Sequence, residues 1–135
     1  MLSEEGRIFT APYQITSEVY QGFIGVFKDV NPLHVDDEYA RKNGFLGKVM
    51  HGSILQGFVS HFIGMVFPGE KALLLSCDLR YLKPSYLNDK LELQVKLSQK
   101  VVSENVLVLD VSFQNRTQNI LVARGRVQVK VRSDS

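Results

Sequence analysis

Gly52-Ser-Ile-Leu-Gln-Gly-Phe-Val-Ser-His-Phe-Ile-Gly-Met-Val-Phe67 is the stretch that decides the fold. It contains no proline and reads as one helix, roughly 24 Å long at about 1.5 Å per residue. Ile54, Leu55, Phe58, Val59, Phe62, Ile63, Met65 and Val66 cover most of its circumference, and a helix so apolar is expected to be buried. Ser53, Gln56, Gly57, Ser60 and Gly64 leave one stripe of small or polar residues, where another backbone or a ligand can approach closely. The stretch is interrupted by Gln56, Ser60 and His61 and is shorter than the ~20 residues that cross a bilayer, so it belongs to a protein core.

After Pro68-Gly69 the period changes to two. Leu73, Leu75, Cys77, Leu79 and Tyr81 alternate with Leu74, Ser76, Asp78, Arg80 and Leu82, and Leu91, Leu93, Val95 and Leu97 alternate with Lys90, Glu92, Gln94 and Lys96. Residues 106–113 and 120–131 read as two more strands. The connections around 86–89, 103–105 and 117–119 are short, which predicts an antiparallel meander. Four such strands need something apolar on their inner face. An α+β fold follows, an antiparallel sheet wrapped around one long central helix.

Towards the N-terminus, residues 7–15 read as a short strand. Thr16 or Ser17 caps a helix that runs through Val19, Tyr20, Phe23, Ile24 and Phe27 and ends near Lys28. Asp36 caps a second, short helix through Asp37 to Arg41.

The 135 residues are read as one domain, 1–135, with ordinary globular composition: 44% hydrophobic, 22% charged, mean hydropathy −0.04. A net charge of +2 gives no basis for nucleic-acid or membrane binding. The charge is uneven, because residues 1–68 carry five basic and seven acidic side chains and residues 69–135 carry eleven and seven. Cys77 is the sole cysteine and has no intrachain partner, and Met1-Leu-Ser-Glu-Glu lacks a basic start followed by an apolar run; a reducing, cytoplasmic setting is expected.

The chemistry concentrates in Asp29-Val-Asn31-Pro32-Leu-His34, followed by His51-Gly52 at the head of the long helix. Asn31-Pro32 favours a reversal that brings Asp29 and His34 to one site. A carboxylate and an imidazole facing one water form an acid–base pair. Gly52, in the first turn of the helix, offers an unpaired N–H, the positive end of the helix dipole and no side chain to obstruct a carbonyl oxygen.

These two motifs resemble the MaoC-like hydratases of the hotdog fold, particularly the (R)-specific enoyl-CoA hydratases, and the resemblance extends over nearly the whole chain. It implies Asp29 and His34 as the catalytic pair and the Gly52 N–H as the group that polarises a thioester carbonyl. The reaction implied is reversible addition of water across a trans-2-enoyl thioester to give the (R)-3-hydroxyacyl product. Asn31 is expected to orient the site by hydrogen bonding, His51 to fix the loop, and Ser60 to bind or position the Asp29–His34 pair. The resemblance implies a homodimer or higher homo-oligomer joined through sheet edges. No metal or redox cofactor is expected, coenzyme A or an acyl carrier protein entering only as part of the substrate. A hotdog acyl-CoA thioesterase and a non-catalytic acyl-thioester-binding subunit are the alternatives.

Other residues receive structural readings. His61 is read as a hydrogen-bonded core or interface histidine and Cys77 as a strand residue. His34-x-Asp36 lacks a third nearby ligand and is weak as a metal motif. Arg124, Arg126, Lys130 and Arg132 offer a basic strand face for phosphates or an acidic carrier protein. Lys28 and Asn88-Asp89 stand where the family more often has a small residue and Gly-Asp.

Overall fold

The computed structural model describes residues 5–133; the opening residues Met1 to Glu4, part of the segment read above for a leader, lie outside the described residues. The chain runs β1 (Ile8–Gln14), α1 (Ser17–Phe27), α2 (Pro32–Val35), α3 (Asp37–Lys42), α4 (Ser53–Met65), β2 (Ala72–Tyr81), β3 (Lys90–Val101), β4 (Val106–Asn115) and β5 (Ile120–Val131). The caps fall where side-chain chemistry puts them. Thr16 accepts from the Val19 N–H at 3.1 Å and Asp36 from the Tyr39 N–H at 3.1 Å. Lys28 closes α1 in the left-handed region at φ 60°.

All five strands form one antiparallel sheet in the order β1-β3-β4-β5-β2. This is the α+β hotdog arrangement expected, with α4 against the inner face of the sheet. The meander holds for β3, β4 and β5 only. β2 pairs with β5 at the far edge, so the 86–89 connection is not a hairpin but the end of a crossover. The reason lies in what that connection is tied to. Leu82 donates to the Val122 carbonyl at 2.7 Å, Met50 to the Ser85 carbonyl at 2.9 Å and Asn88 to the Ile15 carbonyl at 2.7 Å, which carries the chain along the end of the sheet.

The core gathers Ile54, Leu55, Val59, Phe62 and Ile63 of α4 with the inward residues of the strands, among them Leu93, Val95, Leu109, Val111, Phe113, Val127 and Val129. α4 is less enclosed than its composition suggests. Ser53, Gln56, Gly57, Ser60, His61, Gly64 and Met65 are exposed, because the sheet covers only one side of the helix. The sheet closes hardest at Gly125, where a Cβ would stand 1.7 Å from the Asp78 carbonyl oxygen; only glycine lets β2 approach β5 this closely.

Candidate active site

Asn31 makes the local fold of the motif. Its Oδ1 accepts from the Leu33 N–H at 2.9 Å and caps α2, whose first residue is Pro32. This one turn of helix brings His34 back beneath Asp29. The ligating atoms of Asp29, His34 and His51 all lie within 4.8 Å of one another.

Carbonyl partners fix both histidine tautomers, since a carbonyl oxygen only accepts. His34 Nδ1–H donates to the Val49 carbonyl at 2.7 Å, which leaves Nε2 as its free nitrogen. His51 Nε2–H donates to the Asp29 carbonyl at 2.9 Å. His51 is 2% exposed and its ring lies between Phe23 and His34, with centroids 4.5 and 3.9 Å away. Its hydrogen bond is to the backbone of Asp29, so it ties the head of α4 to the motif loop. Tyr20 secures the other side, its hydroxyl donating to the His34 carbonyl at 2.6 Å. Burial first, then the nearby Asp37 charge, push the Tyr20 phenol up, so it stays a donor at neutral pH. Asp37 itself is held below the usual carboxylate range, chiefly by the Lys48 N–H donating to its Oδ1 at 2.8 Å.

Asp29 carries its carboxylate out towards solvent, 48% exposed, with Oδ1 3.4 Å from the Asn31 N–H. So Asn31 reaches the carboxylate through its backbone, while its side chain is spent on the helix cap. Asp29, His34 and His51 are close enough that their donor atoms could reach one ion. In this arrangement His51 gives its Nε2–H to a carbonyl and buries Nδ1 without a partner.

A cleft of about 520 Å³ is lined by Asp29, His34, Gly52 and Ser53, with Tyr81, Lys83 and Ser85 on its far wall. At the head of α4 the first donors to preceding carbonyls are Ile54 and Leu55, so the N–H groups of Gly52 and Ser53 precede the ladder. The space beside the Gly52 Cα is filled differently from expectation. A Cβ there would meet the Tyr81 ring at 2.9 Å, so glycine is required to seat that ring. Burial, the largest cause, pushes the Tyr81 hydroxyl up.

Asp29 and Ser53 also border a second, more apolar cavity of about 990 Å³ between α1, α4 and β2, lined by Phe23, Phe27, Ile54, Phe58 and Leu74. Cys77 lines it too, its thiol pushed up by burial first and Asp78 second. Ser60 lines neither cavity. It stands exposed two turns along α4, and the structure does not bring it to Asp29 and His34. His61 is hydrogen-bonded as expected, Nδ1 lying 2.8 Å from the Tyr13 hydroxyl, but it is exposed and not a core residue.

Tyr81, Lys83 and Ser85 escaped the sequence reading. They reach the cleft only through the crossover from β2 to β3, and a hairpin would have placed them elsewhere. The sole local signal was the tyrosine ending the alternation of β2.

Comparison with known proteins places the chain in a family. The family model described as MaoC like domain matches residues 2–117. An (R)-specific enoyl-CoA hydratase of Rhodospirillum rubrum is 33% identical over 73 residues, 54% of this chain and 50% of that protein. A mitochondrial 3-hydroxyacyl-[acyl-carrier-protein] dehydratase of Arabidopsis thaliana is 32% identical over 90 residues, 67% of this chain and 53% of that protein. The chain thus spans about half the length of the curated relatives it matches. The structure of an R-hydratase from Pseudomonas aeruginosa superposes with a TM-score of 0.86 at 25% identity, covering 97% of this chain and 83% of the other. With the motif, the wrapped-helix sheet and the family match over residues 2–117 in agreement, the chain belongs to the MaoC-like domain family.

Proposed function

We propose that this chain is a hydro-lyase, an (R)-specific enoyl-CoA hydratase or 3-hydroxyacyl-thioester dehydratase. The observation that carries the reading is the convergence, in one cleft, of the Asp29 carboxylate, the free Nε2 of His34 and the first N–H groups of α4. A water held between Asp29 and His34 adds its oxygen to C3 of the enoyl thioester. One of the pair takes the water's proton and the other returns a proton to C2, so H and OH add across the double bond and the enzyme is regenerated. The Gly52 N–H, aided by the α4 dipole, stabilises the enolate-like charge that develops on the thioester oxygen. This is proton transfer with carbonyl polarisation, so we propose that no metal or redox cofactor takes part. Coenzyme A or an acyl carrier protein enters as the substrate's own carrier.

The adjoining apolar cavity supports an acyl thioester as substrate, since Asp29 and Ser53 stand on the boundary of both spaces. The direct test is loss of the enoyl-thioester absorbance when purified protein meets crotonyl-CoA. Release of free thiol without hydration would move the chain to the thioesterases, and tight binding without turnover would make it a binding subunit.

Gly52→Ala tests the close approach of the thioester oxygen to the Gly52 N–H, which alanine retains but crowds. The added methyl must displace the Tyr81 ring, 2.9 Å away, and Tyr81 is 47% exposed and can swing outward. We expect kcat for crotonyl-CoA hydration to fall about 10²-fold while the melting temperature changes by only a few degrees. Retention of wild-type kcat would show that the thioester oxygen does not need the space beside the Gly52 Cα.

We further propose a homodimer. β2 is an edge strand, and Leu73, Leu74 and Leu75 on it are 49%, 40% and 48% exposed, an unprotected apolar edge that invites pairing with a second copy. Sedimentation should give twice the chain mass of 15.3 kDa; a monomer at micromolar concentration would contradict it. Of the described residues, no helix is long and apolar enough to cross a membrane. The lone Cys77 is consistent with a reducing, cytoplasmic setting, which we propose together with the absence of membrane or nucleic-acid partners.

A further inference from the structure

The outer face of the sheet, away from α4, carries the charged residues that alternate with the core. In register across four strands, Lys96, Asp110, Arg126 and Asp78 form one row of alternating sign. Within it Arg126 Nε donates to Asp110 Oδ1 at 3.0 Å. The neighbouring row reads Gln94, Ser112, Arg124 and Arg80. Here Arg124 stands opposite Arg80 in register, and the row holds no carboxylate.

Like charges paired across a sheet are destabilising, and both arginines are exposed on this face. Gly125, next to Arg124, presses β5 against the β2 backbone at Asp78. Among the described residues neither Arg80 nor Arg124 has an acidic partner. The basic strand face foreseen from the sequence is thereby narrowed. Arg126 is committed to Asp110, and Arg132 donates to the Glu70 and Lys71 carbonyls. Arg80 joins Arg124 from a strand the sequence reading did not place beside it. The two rows line a concavity of about 540 Å³ with Ser112 and Gln94 beside the arginines.

We propose that Arg80 and Arg124 form a binding site for a phosphate-type oxyanion, with the Ser112 hydroxyl and the Gln94 amide as neutral donors. Two guanidinium forks match the oxygens of a phosphate and neutralise a dianion, which in turn removes the repulsion between them. Free phosphate and the phosphate ester of a nucleotide share this chemistry. The site is independent of the hydro-lyase reading.

The test is calorimetric titration of the full-length protein, at low ionic strength, with inorganic phosphate and separately with adenosine 3′,5′-bisphosphate. Saturable binding that weakens as salt rises is expected. Arg80→Gln and Arg124→Gln should each weaken it about tenfold or more, and Arg126→Gln less than about threefold. Tighter binding of the bisphosphate identifies a nucleotide as the occupant, and equal affinity identifies free phosphate. Arg124→Glu, which sets opposite charges face to face, should raise the melting temperature while abolishing binding. No saturable binding to the wild-type protein, equal losses in all three glutamine variants, or a lower melting temperature for Arg124→Glu each overturns the proposal.

Discussion

Asp29→Asn slows the addition of water to crotonyl-CoA by about 10²- to 10⁴-fold, the usual contribution of a positioned acid or base. The substitution is nearly isosteric. Its Oδ1 still accepts from the Asn31 N–H, and the His51 bond goes to the Asp29 backbone carbonyl, which the change leaves in place. The side chain is about half exposed, so no buried charge or cavity is created. A melting temperature within a degree or two of wild type should therefore accompany the loss in rate. His34→Ala is expected to reach the same low rate with a greater structural effect, because it removes the Nδ1–H bond to Val49 and the ring stacked on His51. His34→Gln restores a donor towards Val49 without a titrating nitrogen and separates the two effects. Because the pair acts on one water, the double variant should be scarcely slower than either single one. Rates within threefold of wild type in both Asp29→Asn and His34→Ala would sink the proposed site.

Much of the site was legible because its parts are local. Asn31-Pro32 sets a cap and a helical turn within six residues, and that alone decides that Asp29 and His34 meet. Glycine at position 52 could be read as the start of a helix from the apolar run that follows. What was not legible depends on residues far apart in the chain. Nothing in the alternation of β2 says whether it pairs with β3 or with β5, since both partners offer the same period of two. That ambiguity hid the wall formed by Tyr81, Lys83 and Ser85, and with it the reason position 52 is glycine: a ring 29 residues further on fills the space of the missing side chain. It hid the Arg80–Arg124 pair for the same reason. Ser60 is a different case. Helical spacing put it on the same stripe as Ser53, but a helix face rises with the chain, and two turns carry Ser60 beyond the cleft.

Asp89→Ala should destabilise the fold by about 3–5 kcal/mol, the cost of stranding buried hydrogen-bond donors. Asp89 is 4% exposed, and its Oδ2 accepts from the Tyr86 N–H at 2.8 Å, Asn115 Nδ2 at 2.7 Å and Gln118 Nε2 at 2.9 Å. Asn115 is wholly buried and cannot turn to water, whereas Gln118 can. For a chain of this size the loss corresponds to roughly 10–20 °C in melting temperature. Asp89→Asn keeps one acceptor oxygen and should lose about half as much. Asn115→Ala in the Asp89→Ala background should cost less than it does alone, the remainder being the loss of the Oδ1 that accepts from the Gln118 N–H at 3.0 Å. The effect should also reach the chemistry. Asp89 anchors the end of the crossover whose Ser85 carbonyl takes the Met50 N–H at 2.9 Å, two residues before Gly52. A loosened crossover frees both the Tyr81 wall and the head of α4, so hydration by Asp89→Ala should fall even at temperatures where circular dichroism shows the protein fully folded. A melting temperature within 3 °C of wild type would mean that the Asp89 network does not hold the crossover, and the cleft wall would need another support.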